Sequence, residues 1–205
     1  MAAAGKVTTG FSLPYVAVYA NSGGTVSYSS GQKLARGVNV SITPTTANAD
    51  NNFYADNGLA ESATGGYNGA TFSLEVDGLH QAAEKLIYGL GNADTNGFVA
   101  YNDAANQPYC GIGFVVRQQE DGVVSFKPVV IPKGRFDYPT IAAATQEQEI
   151  DWQTQTLTGT IFKSDATNHP WLMDGTSYEV GTTYTTEALA EAAAEGKIKT
   201  VFAIT

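Results

Sequence analysis

Paired carboxylates are the residues of this chain whose type and spacing best suit chemistry. Two sets lie at alternate positions: Glu75 with Asp77, and Glu147 with Glu149 and Asp151. Alternate residues of a strand point to one face, so each set is predicted to share a face. Two carboxylates across a cleft can perform glycoside hydrolysis. A β-sandwich glycoside hydrolase is therefore one interpretation. Solvated outer strand positions, with Asp77 as a helix cap, are the other.

The histidines and the cysteine give weaker signals. His80 and His169 are far apart, and neither has a cysteine or carboxylate at metal-site spacing, which indicates surface or helix-end positions. Cys110 is the only cysteine and lies in a stretch typical of a strand core, so we predict a buried, inert thiol. The sequence thus predicts no catalytic residue, no metal and no cofactor, and it favours a protein that is not an enzyme.

The charge balance argues against a protein that holds nucleic acid through its phosphates. The 205 residues include 11 Lys and Arg against 20 Asp and Glu, a net charge of −9. Nucleic-acid-binding surfaces carry clusters of basic residues. In this chain no Lys or Arg occurs from Gly37 to Glu84. Charged residues make up 15% of the chain, below the average of about 25%. Two explanations stay open: a surface covered by neighbouring subunits, or a β protein with long polar loops.

Length and apolar pattern predict a single domain over residues 1–205. One cysteine permits no intramolecular disulfide. The first residues lack the basic and apolar segments of a signal peptide, and no apolar run approaches the roughly 20 residues that span a bilayer. We therefore expect a chain made in the reducing cytosol, with no membrane partner.

Alternating apolar and polar residues predict a mainly β protein with helices, an α+β fold. Residues 38–43 and 71–76 each alternate as half-buried strands do, and Pro44 is expected to end the first. Asp121-Gly122 between two apolar runs predicts a β-hairpin. A long strand running from near Glu149 to Phe162 is predicted to contain a bulge or a bend, because its apolar residues change parity.

Two helices are predicted. The first has Asp77 as its N-cap, an apolar stripe from Leu79 to Leu90, and a stop at Gly89 and Gly91. The second covers residues 186–195. We expect its inward side to be formed by Ala188, Leu189, Ala192 and Ala193, and an outward acidic row by Glu187, Glu191 and Glu195.

A polar segment at residues 45–69 separates two of the predicted strands. At about 25 residues, it is longer than ordinary connections, and such segments are usually functional or disordered. Phe53 and Tyr54 in its centre argue against disorder. We therefore expect an extended hairpin or arm that protrudes from the domain.

Seven fragments, in order along the chain, carry a resemblance to a known family. They are YVA at 15–17, KLARGV at 33–38, YADN at 54–57, LEVDGL at 74–79, PYCGIGF at 108–114, IPKGRF at 131–136 and TQTLTGTI at 154–161. By their order and spacing, the chain resembles the major tail protein, or tail tube protein, of long-tailed bacteriophages, in particular the phi13-type family. The C-terminal helix departs from the family pattern.

The resemblance implies a β-sandwich of tail-tube type, flanked by one amphipathic helix, with a long extended loop and a short C-terminal helix. Six copies would form a ring, and stacked rings would form a hollow tube for DNA ejection. The implied partners are identical copies, a tape-measure protein, and tail terminator and tail-tip proteins. DNA would be passing cargo that is not bound sequence-specifically. The implied location is the virion, with assembly in the bacterial host cytoplasm.

Two sets of site residues follow from this hypothesis. The loop that reaches a neighbouring subunit would use Asp50, Phe53, Tyr54, Asp56 and Glu61. The channel would be lined by acids, because an acidic wall repels phosphate, and the candidates are Glu75, Glu149 and Asp151. A capsid decoration or adhesin-like binding module is a further alternative beside the hydrolase.

Overall fold

The computed structural model describes residues 5–46, 51–63, 66–101, 107–143, 145 and 152–204. Within these ranges the chain forms eleven strands and two helices. The predicted mainly β, α+β class is confirmed. The strands are β1 Val7–Ser22, β2 Thr25–Lys33, β3 Gly37–Thr46, β4 Asn51–Ala55, β5 Gly58–Ala63, β6 Tyr67–Val76, β7 Cys110–Glu120, β8 Val123–Phe136, β9 Gln155–Phe162, β10 Leu172–Met173 and β11 Tyr178–Glu179, and the helices are α1 Gln81–Tyr88 and α2 Glu187–Val201.

One antiparallel sheet contains most of the strands. Its main path runs β2-β1-β7-β8-β9-β6-β3, and β10 and β11 pair with β8 beside this path. The strands β4 and β5 pair only with each other, as a two-stranded sheet within the described part of the chain. The protein is therefore one continuous sheet with a separate small hairpin inserted between β3 and β6.

The long strand β8 folds this sheet back on itself. Residues 123–134 of β8 pair with β7, whereas Lys133–Phe136 pair with β9. Side chains from β6, such as Phe72 and Leu74, share one buried cluster with Ile112 and Phe114 of β7. Strands β9, β6 and β3 therefore form a second layer over β1, β7 and β8, and the inner faces of the two layers enclose the main core.

A second core lies on the other side of β1, β7 and β8, beneath α2. Ala190, Ala194 and Ile198 of α2, with Phe202 just after it, pack against outward side chains of the strands. Gly111 and Gly113 of β7 make this close contact possible. A Cβ at Gly113 would lie 2.5 Å from Cγ2 of Ile198, and one at Gly111 would lie 2.6 Å from the ring of Phe202.

Two tight hairpin turns use glycines, which adopt positive φ angles without strain. Asp121 and Gly122 join β7 to β8 with φ of 46° and 84°, so the predicted Asp-Gly hairpin is confirmed. Two successive positive φ angles match the twist of the flanking strands. The turn at Gly23 and Gly24 joins β1 to β2 in the same left-handed region.

Helix α1 begins later than predicted, and its predicted cap is wrong. His80 occupies the N-cap position without a side-chain cap hydrogen bond. Asp77 instead accepts a hydrogen bond of 2.9 Å from the backbone N–H of Arg36 and pairs with the Arg36 guanidinium at 3.5 Å. The carboxylate is thus used to fasten the end of β6 to the chain before β3. Gly89 ends the helix in the left-handed conformation, as predicted.

Helix α2 is longer than predicted and turns a different face inward. It runs Glu187–Val201, with the Thr186 hydroxyl accepting from the backbone N–H of Leu189. Its buried residues are Ala190, Ala194 and Ile198, whereas Leu189 is 54% exposed. Burial of Ile198 and of Phe202, which follows the helix, keeps the last turns helical although Gly196 lies within them. The prediction that Ala188, Leu189 and Ala192 face inward is wrong, because all three are exposed.

Two strand boundaries also differ from prediction. Strand β3 continues through Pro44, which pairs with Ala70, to Thr46. Proline is tolerated there because β3 is an edge strand, whose outer side needs no N–H donor to a neighbour. Strand β9 begins only at Gln155, and its register with β6 is continuous, so the predicted bulge is absent from the described strand.

The glycine contacts under α2 give a stability prediction. Gly113→Ala should lower the free energy of unfolding by about 1–3 kcal/mol, because the added methyl collides with Ile198 and Phe202. Urea unfolding followed by circular dichroism measures the change. The matched control is Gly196→Ala, on the exposed side of α2 with open space at its Cβ, which should be neutral or stabilising by up to about 1 kcal/mol. Equal effects of both substitutions would contradict this packing.

Candidate assembly surface

The outer face of β3, β6 and β9 carries only polar side chains along three cross-strand rows. The alternate residues of these strands point into the core, so the remaining positions face outward. We call these nine residues the hydroxyl face. Its rows are Asn39–Glu75–Thr156, Ser41–Ser73–Thr158 and Thr43–Thr71–Thr160. Eight of the nine side chains are neutral, and the ninth is the carboxylate of Glu75.

Glu75 is the only predicted channel acid that lies in the described part of the chain. Its carboxylate is half-buried and accepts a hydrogen bond from the Thr154 hydroxyl at 2.5 Å. A second carboxylate contacts the middle row, since Asp137 accepts a hydrogen bond of 2.9 Å from the Thr158 hydroxyl. Glu149 and Asp151 lie outside the described residues, as do Glu147 and Ile150.

A basic residue borders the hydroxyl face on the β8 side. Arg135 pairs in register with Thr160, and its guanidinium lies 5.8 Å from the ring centroids of Tyr109 and Phe162. Lys133, two residues earlier, forms an ion pair of 2.8 Å with Asp165. The Arg135 charge is therefore held against aromatic rings, and the Lys133 charge is neutralised by Asp165. The three rows themselves contain no basic side chain.

The hydroxyl face ends at an open sheet edge. Among the described residues β3 pairs only with β6, and β2 pairs only with β1, so each leaves one side without a strand partner. Unpaired edges invite pairing with another chain, and proteins usually protect them with charged residues. The ten residues of β3 include no charged side chain. A second chain can therefore add to β3 with little electrostatic opposition.

The segment at residues 45–69 contains the hairpin of β4 and β5. Asp56 and Asn57 form its turn, with φ of 50° and 61°. Phe53 pairs with Glu61, and Tyr54 pairs with Leu59, with a register shift between the two pairs. Four of the five predicted loop residues thus lie on one hairpin, and Asp50 lies outside the described residues.

Large apolar side chains of this hairpin are exposed. Phe53 is 63% exposed, Tyr54 64% and Leu59 57%. An isolated two-stranded hairpin is at best marginally stable in water. The exposed rings would be stabilised by contact with another surface.

A cleft of about 670 Å³ next to α1 contains the carboxylates most relevant to the hydrolase interpretation. Asp77, Glu84 and Asp137 line it. Asp77 is paired with Arg36, and Asp137 accepts from Thr158. Glu75 contacts Thr154 and is absent from the lining, so Glu75 and Asp77, which were predicted to act as a pair, have different partners. The hydrolase interpretation stays a prediction.

Cys110 and His169, which the sequence singled out, have surroundings that fit a structural role. Cys110 is buried, as predicted, and this burial raises the pKa of its thiol to about 12. The backbone carbonyl of His169 accepts from the backbone N–H of Ser164 at 3.1 Å.

Within the ranges that the structure describes, no group of three or more His, Cys, Asp or Glu residues is placed to hold a metal ion. No helix in those ranges is both long and apolar enough to cross a bilayer.

Sequence reasoning missed the contacts that fasten α2 to the sheet. The acidic row that was predicted to face outward runs along β1 and β7 instead. Glu187 pairs with Arg117 at 3.0 Å, Glu191 accepts from Ser12, and Glu195 accepts from the Tyr15 hydroxyl. The spacing of four residues showed that the acids share a face, but nothing local indicated that the strands present partners to them.

Comparison with known proteins adds no family assignment. The chain matches no protein-family model, and it matches none of the curated proteins.

The acid contacts of α2 give a pH prediction. Burial alone would raise the pKa of Glu195, but hydrogen bonds from Tyr15 and Lys199 outweigh it, so the pKa lies below its usual value. A lowered pKa adds stability above the unfolded value of about 4.3, and this stability is lost as pH falls through the folded pKa. We expect the free energy of unfolding to decrease below about pH 5, and to decrease less steeply in Glu195→Gln.

Urea unfolding at pH 7, 5, 4 and 3 checks this expectation. At pH 7 the substitution should cost about 1 kcal/mol, since it removes hydrogen bonds to a charged group. Glu84→Gln in α1 is the matched control, because no hydrogen bond or ion pair joins the Glu84 carboxylate to the rest of the described chain. Identical pH slopes for Glu195→Gln and the unsubstituted protein would contradict the assignment.

Proposed function

We propose that this protein is a structural subunit that assembles into stacked rings, and that the rings form the hollow tail tube of a long-tailed bacteriophage. The observation that carries the proposal is the hydroxyl face, a sheet surface without apolar or basic side chains that extends to the uncharged open edge β3. No catalytic role is part of the proposal.

The chemistry of the hydroxyl face suits a channel wall for DNA. Basic side chains would bind phosphates and release counterions, which would hold the cargo in place. Neutral hydroxyls form no ion pair with phosphate and release no counterions, and a few carboxylates repel it. Glu75 is the described acid of this wall, and Glu149 and Asp151 are proposed to add to it.

Edge pairing provides the route from subunit to ring. A strand of the next copy would hydrogen-bond to β3, and repetition of this contact around an axis would close the ring and remove the open edges. The face beside the joined edges would then become a continuous β-lined bore. Six copies per ring is the number that the resemblance to tail tube proteins suggests.

The β4–β5 hairpin would connect each copy to a neighbour, with Asp50, Phe53, Tyr54, Asp56 and Glu61 as contact residues. Burying the exposed Phe53 and Tyr54 would offset the entropy lost when the hairpin is ordered. A tape-measure protein inside the tube, and terminator and tip proteins at its ends, complete the proposed set of partners. The proposed location is the virion, with assembly in the host cytoplasm.

Deletion of residues 48–64 tests the assembly role of the hairpin. The shortened chain should fold, because β3 and β6 pair without β4 and β5, but it should form no tubes. Negative-stain electron microscopy of concentrated protein provides the measurement, and circular dichroism with urea unfolding checks the fold. Normal tubes from the shortened chain would contradict the role of the hairpin.

The unshortened chain separates the alternatives. Discrete monomers or trimers would favour a decoration or adhesin-like module, and cleavage of polysaccharide would favour the hydrolase.

Charge reversal at Glu75 tests the channel assignment. Glu75→Lys should leave assembly intact but make the tubes retain double-stranded DNA, because a lysine in the wall would attract phosphate. Retention of labelled DNA by pelleted tubes provides the measurement, and retention should fall as salt is raised. Glu120→Lys, at the far end of β7, is the matched control and should retain less DNA. Equal retention by both variants would contradict a bore formed by the hydroxyl face.

A further inference from the structure

An apolar groove lies between the inner side of β3 and the layer of β7 and β8. It consists of two adjoining cavities of about 430 and 360 Å³, which share Val40, Val129 and Met173. Ile42, Phe114 and Trp171 extend the apolar lining. We call this feature the β3 groove. Each volume lies in the range of roughly 300–1,000 Å³ found for clefts that bind small molecules, so there is room for a large side chain.

The β3 groove is open because the second layer ends at β3. Val40 and Ile42 point toward the opposite layer but are only half-buried, and Met173 on the far wall is 53% exposed. A fully closed core would bury all three side chains. The groove is therefore apolar surface that the fold leaves uncovered.

One charged side chain, that of Lys127, is among the described residues that line the groove. Lys127 of β8 points to the same side as Val129 and is half-buried. No ion pair or hydrogen bond joins its ammonium to any residue that the structure describes. An unpaired, partly desolvated cation in an apolar groove would favour an occupant with a carboxylate.

The β4–β5 hairpin has the matching features. Phe53 and Glu61 lie directly opposite each other, so an aromatic ring and a carboxylate project from one face. Residues 51–63 include no base. Phe53 is 63% exposed, so it is not seated in the groove of its own chain.

We propose that the β3 groove receives the β4–β5 hairpin of a second copy of this chain. Phe53 enters between Val40 and Met173, and Glu61 pairs with Lys127. This inference depends on the proposed self-assembly, because the partner is another copy, and it specifies which surface that copy binds. It also gives β3 two separate roles, since its edge and its inner face contact different parts of neighbouring copies.

Disulfide trapping in mixtures tests the inference. One full-length variant carries Phe53→Cys and another carries Met173→Cys, and the native thiol at Cys110 is buried. Mixed under mild oxidation at assembling concentrations, the two variants should form a cross-linked heterodimer. A mixture of Phe98→Cys with Met173→Cys is the control, since Phe98 is at least as exposed as Phe53 but lies outside the hairpin, and it should cross-link at least tenfold less, by our order-of-magnitude expectation.

Charge exchange gives an independent measurement. Lys127→Glu and Glu61→Lys should each raise the protein concentration needed for assembly by about tenfold, and the double exchange should restore it. Electron microscopy and light scattering detect assembly. Restoration in the double variant separates a direct pair from general damage to folding.

The outcomes separate this inference from the proposed function. Tubes that form without a cross-link between the Phe53→Cys and Met173→Cys variants, together with failure of the double exchange to restore assembly, would overturn the groove as receptor while self-assembly stands. A further variant carries Phe53→Cys and Met173→Cys in one chain. A cross-link within that chain, with none between the two single variants, would show that the hairpin occupies its own groove, which also overturns the inference. Absence of both cross-link and assembly at high concentration would overturn the inference and the proposed function together.

Discussion

The double pairing of β8 is the constraint on which the structure depends. One edge of this strand pairs with β7, and the other pairs in succession with β11, β10 and β9. Because β9 joins only at Lys133–Phe136, the strands beyond it fold over the first layer. This fold encloses the main core, turns the polar residues of β3, β6 and β9 outward, and leaves the β3 groove between the layers.

Packing on both sides of the first layer explains why the polar face belongs to the second. Alternate residues of β7 serve two cores, with Ile112 and Phe114 inside the layers and Gly111 and Gly113 beneath α2. Strands β3, β6 and β9 have no described helix over the outer face of their three rows, so their outward positions favour polar residues. The same layer therefore supplies the hydroxyl face and the open edge, which is the combination that a polymerising channel subunit needs.

Local patterns predicted the features that local chemistry decides. The Asp121-Gly122 turn, the alternation of β6, the buried Cys110 and the glycine stop of α1 follow from short-range sequence. Features decided by distant partners were missed: Asp77 binds Arg36, and Pro44 stays in a strand because that strand is an edge. In α2, Ile198 and Phe202 determine the buried face through contacts with β7, which lies about 90 positions earlier in the chain. The hydroxyl face could be predicted in part from alternation, but the order of strands that brings its three rows together could not.

We propose that β3 completes its hydrogen bonding only when it pairs with another copy of the chain. Hydrogen–deuterium exchange of the β3 amides, followed by mass spectrometry in dilute and in concentrated protein, tests this proposal. We expect the amides of Gly37–Thr46 that point away from β6 to exchange quickly in dilute protein and to become strongly protected once rings form, while amides of β7, paired on both sides, change little. Exchange in β3 that is equally slow at both concentrations, or equally fast in assembled particles, would contradict it.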